Sequence, residues 1–116
     1  MSVQKFSIQD TPLERFVPDQ DVFLGDVINQ ANGDSMSVGW ARYGKGARNG
    51  YTITYDEALI VTKGRFTVRS AEGDHTANAG EVIYLSKGTA VTYIADEDCE
   101  LVYVTYPFWR EAAARA

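Results

Sequence analysis

From Val22 to Tyr106 apolar and polar residues alternate with a period of two, and glycine-rich or acidic turns interrupt the alternation every few residues. That period belongs to extended strands, whose side chains point to opposite faces in turn. In "SMSVGWARYG", Met36, Val38 and Trp40 share a face, with Arg42 at its end. In "GYTITYDEALIVTKG", one face carries Tyr51, Ile53, Tyr55, Glu57, Leu59 and Val61, and the other Thr52, Thr54 and Asp56. In "GRFTVRSAEGDH", Phe66 and Val68 point in, Arg65, Thr67 and Arg69 point out, and "AEGD" turns the chain. "GEVIYLSKG" reads as a nearly all-apolar strand, and "TAVTYIADEDCELVYVTYP" as two strands around the acidic turn Asp96–Asp98. Roughly eight to ten short strands with no long helix before the C-terminus predict an all-β sandwich or barrel.

The flanks are helix-prone. Thr11 and Glu14 have capping-box spacing and Pro12 suits a first helical position, so "TPLERF" predicts one helical turn. The tail "PFWREAAARA" predicts a short helix with Glu111 and Arg115 at i, i+4, anchored by Phe108 and Trp109 to the barrel or to a partner subunit. "GKGARNG" has flexible glycines and two cations but lacks phosphate-loop spacing. It reads as a mobile loop, a lid over the barrel mouth.

A chain of 116 residues fits one domain, 1–116, and 45% apolar residues supply a core. A net charge of −5 argues against nucleic acid and against anionic membranes. No run approaches the ~20 apolar residues of a membrane span. The N-terminus lacks the apolar stretch of a secretory signal, and Cys99 is the single cysteine, so a cytoplasmic location is expected.

The spacing around Glu57 resembles the cupins, small jelly-roll barrels. Glu57, six residues and Gly64 fit the end of their first motif, about 46–64 here. Gly80, five residues, Ser86, Lys87, Gly88, two residues and Val91 fit the second, about 80–95, with its proline and histidine replaced. In cupins three histidines and the glutamate hold a divalent metal. Those positions are here Tyr51, Ile53, Glu57 and Val91, or Gly50 and Thr52 under a one-residue shift. Only the glutamate is kept, so neither a metal nor another cofactor is expected. The stretches "DVFLGDV", "SMSVGW", "YDE", "AGEVIYLSKGT" and "YVTYP" further resemble the cupin domain of the ethanolamine-utilisation Q protein family. That resemblance implies a metal-poor cupin homodimer. It also raises a link to ethanolamine breakdown, acetate kinase activity and microcompartments.

Among the remaining chemistry-bearing residues, His75 in "EGDHT" reads as a solvated turn residue and Cys99 as a small structural one. Asp56 is placed on the outward face. Inside the barrel, Glu57 is expected beside Tyr51 and Tyr55, with Tyr93 and Tyr103 from later strands and Trp40 and Arg42 from a facing one. A carboxylate walled by aromatics is desolvated and its pKa raised, which suits proton transfer near neutral pH. Glu57 and Tyr55 are then candidate catalytic residues. Trp40, Arg42, Tyr51, Tyr93 and Tyr103 are candidates for holding a small polar or carbonyl-bearing ligand. The other reading pairs Glu57 with Arg42 as a structural ion pair. The expected activity is metal-independent lyase or isomerase chemistry. A non-catalytic binding or accessory module of ethanolamine-type catabolism is the alternative, and acetate-kinase-like transfer ranks last.

Overall fold

The computed structural model describes residues 3–114. Ten strands follow one another: β1 (Glu14–Arg15), β2 (Val22–Ile28), β3 (Ser37–Tyr43), β4 (Arg48–Thr52), β5 (Asp56–Lys63), β6 (Arg65–Ser70), β7 (Gly73–Asn78), β8 (Val82–Leu85), β9 (Ala90–Ala95) and β10 (Cys99–Tyr106). A helix, α1 (Trp109–Ala114), closes the described chain. The strands form a six-stranded sheet, β1-β2-β3-β10-β5-β8, and a four-stranded one, β4-β9-β6-β7, with every pairing antiparallel. The expected all-β jelly roll is present. It is not a closed barrel, however: among the described residues no strand ladder joins the two sheets.

Alternation places the core between the sheets. Leu59 and Val61 of β5, Leu101 and Tyr103 of β10, and Ala41 and Tyr43 of β3 are buried and face Phe66, Val68, Val91 and Tyr93 of the small sheet. The first cupin-like motif spans both sheets, because β4 lies in the small one and β5 in the large one. Between them Ile53 exchanges backbone hydrogen bonds with the turn that carries Gly88, its N–H donating to Thr89 O and its carbonyl accepting from Gly88 N. The second motif therefore pins the crossing point of the first. Gly64, which ends the first motif, has φ +82°, and a Cβ there would sit 2.2 Å from the Asp98 carbonyl oxygen. Only glycine fits that turn.

Both flanks depart in part from expectation. "TPLERF" is not a helical turn. The 3-10 turn lies earlier, at Ile8–Asp10, and Thr11 ends it, while Glu14 and Arg15 pair with Leu24 and Phe23 of β2. Sheet pairing outcompetes the local capping preference. Nor is "GKGARNG" a free lid. Gly44 N donates to Asp21 O, Lys45 N to the Asp98 carboxylate, Gly46 N to Ala95 O and Arg48 N to the Gln20 side chain, and Ala47 is buried. The C-terminal helix does form and is anchored by buried Trp109 and Ala112, whereas Arg115 lies outside the described residues.

The largest correction concerns β3. Its buried residues are Ser37, Gly39, Ala41 and Tyr43, so Val38, Trp40 and Arg42 face outward. A Cβ on Gly39 would lie 2.3 Å from the Tyr103 ring, and that ring occupies the inner space assigned to Trp40. Thr67, expected to point out, is also buried; it donates to Asp96 and accepts from Thr76.

Candidate functional site

A narrow cavity of about 40 Å³ opens between the sheets. Its polar side chains are Glu57, Asn49 and the tyrosines 43, 51, 55, 93 and 103. Its apolar walls include Phe66, Leu59 and Trp109. Strand parity explains the convergence. Glu57 and Leu59 are successive inward residues of β5, and Tyr93 is the central of three inward residues of β9 across the gap. Tyr51 enters from β4 and Tyr55 from the crossing segment, so residues four apart meet hydroxyl to hydroxyl.

Glu57 is 7% exposed. Its carboxylate accepts one hydrogen bond, from the Tyr93 hydroxyl to Oε1 at 2.6 Å, and no donor among the described residues reaches Oε2. Burial pushes its pKa from 4.5 up to about 7, opposed in part by the Tyr93 hydrogen bond, which favours the charged form. Burial likewise raises Tyr43, Tyr51, Tyr55 and Tyr93 above the usual tyrosine value, with the Glu57 charge adding to the shift. These hydroxyls stay protonated at neutral pH. Tyr55 can serve as a hydrogen-bond donor, not as a base.

Tyr103 stands at the other end of the cavity. Its hydroxyl donates to Asp26 Oδ1, which also accepts from the Trp109 indole N–H at 3.0 Å, while Asp26 Oδ2 pairs with Arg110 Nε at 2.9 Å. One carboxylate of β2 thus ties together β10 and α1. Burial and the neighbouring Asp26 push the Tyr103 pKa up. Sequence reasoning pointed Phe66 inward without naming it as a site residue, and it missed Asp26, Tyr43 and Asn49. Tyr43 follows from the reversed parity of β3, whereas Asp26 depends on a contact with α1 that no local pattern announces.

Two expected site residues are not in the cavity. Arg42 is exposed and binds Glu100 on β10, with Nη2 2.9 Å from Oε2, so it is not the partner of Glu57. Trp40 lies on the outer face of the large sheet, opposite Val102, and its Nε1 is buried without a hydrogen-bond partner. Asp56 points away from the cavity as expected and accepts from Lys87 N at 2.9 Å. His75 lies in strand β7 rather than in a turn, exposed and opposite Val68. Cys99 is buried at the start of β10, where burial pushes its thiol pKa up to about 12.

The cupin metal does not fit these residues. Of the four corresponding positions, Ile53 and Val91 are packed hydrocarbon, Tyr51 is a protonated phenol and Glu57 the one carboxylate. Among the described residues no three His, Cys, Asp or Glu side chains converge.

The family described as ethanolamine utilisation protein EutQ matches residues 2–111. The chain is 29% identical over 86 residues to the acetate kinase EutQ of Salmonella typhimurium strain LT2, covering 74% of this chain and 37% of that protein. It therefore spans little more than a third of that relative's length. The crystal structure of the ethanolamine utilization protein Q of Salmonella typhimurium LT2 superposes with a TM-score of 0.83 at 26% identity, over 91% of this chain and 87% of that one. An RmlC-like cupin from Shewanella frigidimarina superposes with a TM-score of 0.77 at 13% identity, over 95% of this chain and 96% of that one. With a cupin fold and a family match running through all ten described strands, the chain belongs to the ethanolamine utilisation protein EutQ family.

Proposed function

We propose that this protein is a metal-independent cupin that takes a small polar or carbonyl-bearing molecule between its sheets and uses Glu57 for acid–base chemistry of the lyase or isomerase type. The observation that carries this reading is a carboxyl group nine-tenths buried in an aromatic cavity, with its pKa raised to about 7. A group titrating near the working pH is suited to both taking and giving a proton. Tyr93 holds it in place, and Tyr51, Tyr55 and Tyr103 supply hydroxyls along the cavity. Trp40 and Arg42 drop out of the site.

The test is proton exchange in deuterated water. Small ketones and hydroxyketones are incubated with the protein, and loss of the hydrogen next to the carbonyl is followed by NMR. Glu57→Gln should slow any exchange by about 10²–10⁴-fold while the fold persists. Equal exchange by the variant ends the catalytic reading.

Family membership favours a second reading, a non-catalytic binding or accessory protein of ethanolamine-type catabolism. Saturable binding without exchange supports it. Acetate-kinase-like transfer ranks last, because no lysine, arginine or histidine lines the cavity to meet a phosphate. We further place the protein in the cytoplasm as a homodimer. No helix among the described residues is long and apolar enough to cross a membrane. The outer face of the large sheet joins Trp40, Val102, Ile60 and Val82 in one row, with Val82 59% exposed. Light scattering at micromolar concentration that returns the monomer mass overturns the dimer.

A further inference from the structure

We propose that the cavity recognises a small organic ammonium ion, held by the Glu57 carboxylate beside the aromatic rings of Tyr51 and Tyr93. The inference rests on the cavity being the ligand site and adds the charge class of what it takes.

Three observations point the same way. First, the lining holds one carboxylate and no lysine, arginine or histidine. An anion entering would be desolvated beside a carboxylate with no cation to receive it, whereas a cation would find its counter-charge in place. Second, the hydrogen bonds already made commit hydroxyl protons close to the carboxylate, while the Tyr43 hydroxyl and the Asn49 amide remain donors of the lining. The Tyr93 proton is committed to Glu57, the Tyr103 proton to Asp26, and one proton of the Tyr51–Tyr55 pair to its partner. Glu57 Oε2 and the hydroxyl lone pairs remain. An alkylammonium group brings up to three N–H donors and carries its charge at neutral pH, as a lysine side chain does. Third, the walls beside the carboxylate are aromatic rings. Tyr51 and Tyr93 pack edge to face, 6.0 Å apart at 62°, and Phe66 stacks on Tyr93 at 28°. Cations are drawn to the faces of such rings within about 6 Å of the centroid, most strongly where water is excluded.

Charge on Glu57 is the condition for binding. Since the carboxyl of the free protein titrates near 7, a bound cation must hold it ionised, so binding releases a proton at neutral pH and weakens as the pH falls.

The experiment titrates the intact protein with propylammonium chloride, 1-propanol and sodium propionate at one ionic strength, following the tyrosine ring signals by NMR. Propylammonium should shift the Tyr51 and Tyr93 rings saturably and bind about tenfold or more tighter than either of the other probes. Moving from about pH 8 to about pH 5.5 should weaken it by roughly tenfold or more, while 1-propanol binding stays level. Glu57→Gln, checked for folding by circular dichroism, should abolish the preference for propylammonium. The wild-type comparisons decide the matter even if that variant does not fold. Propionate or 1-propanol binding as tightly as propylammonium overturns the ammonium assignment and leaves the cavity reading standing. Absence of any ring shift with all three probes overturns both.

Discussion

Tyr93 of the small sheet donates its hydroxyl proton to Glu57 of the large sheet across 2.6 Å, so this hydrogen bond links the two layers and partly offsets the rise in pKa that burial gives the acid. Because that bond stabilises the carboxylate, Tyr93→Phe should raise the Glu57 pKa further above about 7. Carbon-13 NMR of the Glu57 carboxyl over a pH series reads the change directly. A fall toward 4.5 in the variant contradicts this account.

Glu57 should also make stability depend on pH. Its pKa is higher folded than unfolded, so its stabilising contribution is complete below about pH 4.5 and is lost as the pH rises through about 7. The full loss amounts to about 3 kcal/mol. Urea midpoints of the wild type should therefore fall between about pH 5 and about pH 8 relative to those of Glu57→Gln. Asp74, whose pKa Arg69 lowers, acts in the opposite direction, but it does so in both proteins and cancels from the comparison. Parallel pH dependences in the two proteins would falsify the buried-acid assignment.

Asp26 should be a stability residue at the far end of the cavity. Asp26→Ala leaves the Tyr103 hydroxyl and the Trp109 indole without their acceptor, which should cost about 3 kcal/mol. Trp109 emission should shift to the red as α1 loosens. Arg110→Ala, at the half-exposed edge of the same cluster, should cost no more than about 1 kcal/mol.

Arg42→Ala tests the corrected geometry. The Arg42–Glu100 pair is solvent-facing, so its loss should cost about 1 kcal/mol or less and leave the Glu57 titration unchanged. A shift in the Glu57 pKa on this substitution would restore the ion pair expected from sequence.

Metal content is open to direct measurement. Elemental analysis of the purified protein should find no stoichiometric zinc, iron, nickel or manganese, because one carboxylate among phenols and hydrocarbon offers too few donors. About one metal per chain, removable only with loss of fold, would overturn this.

Period-two alternation was enough to place Ile53, Tyr55, Glu57, Leu59 and Val61 on an inner face, because strand geometry sends every second side chain the same way whatever lies opposite. The spacing of Glu57 to Gly64 was equally legible, since a turn at φ +82° against a carbonyl admits only glycine. Which face of β3 turned inward was not. Val38 and Trp40 are the larger apolar residues and look like core, yet Gly39 and Ala41 occupy it, because the Tyr103 ring needs the space that a larger residue would fill. The same holds for "TPLERF", whose capping signal lost to a strand partner at Leu24 and Phe23. Asp26 gathers Tyr103, Trp109 and Arg110 from up to 84 positions away. Local periodicity reports which way a side chain points relative to its neighbours. Only the packing of distant strands decides what it meets there.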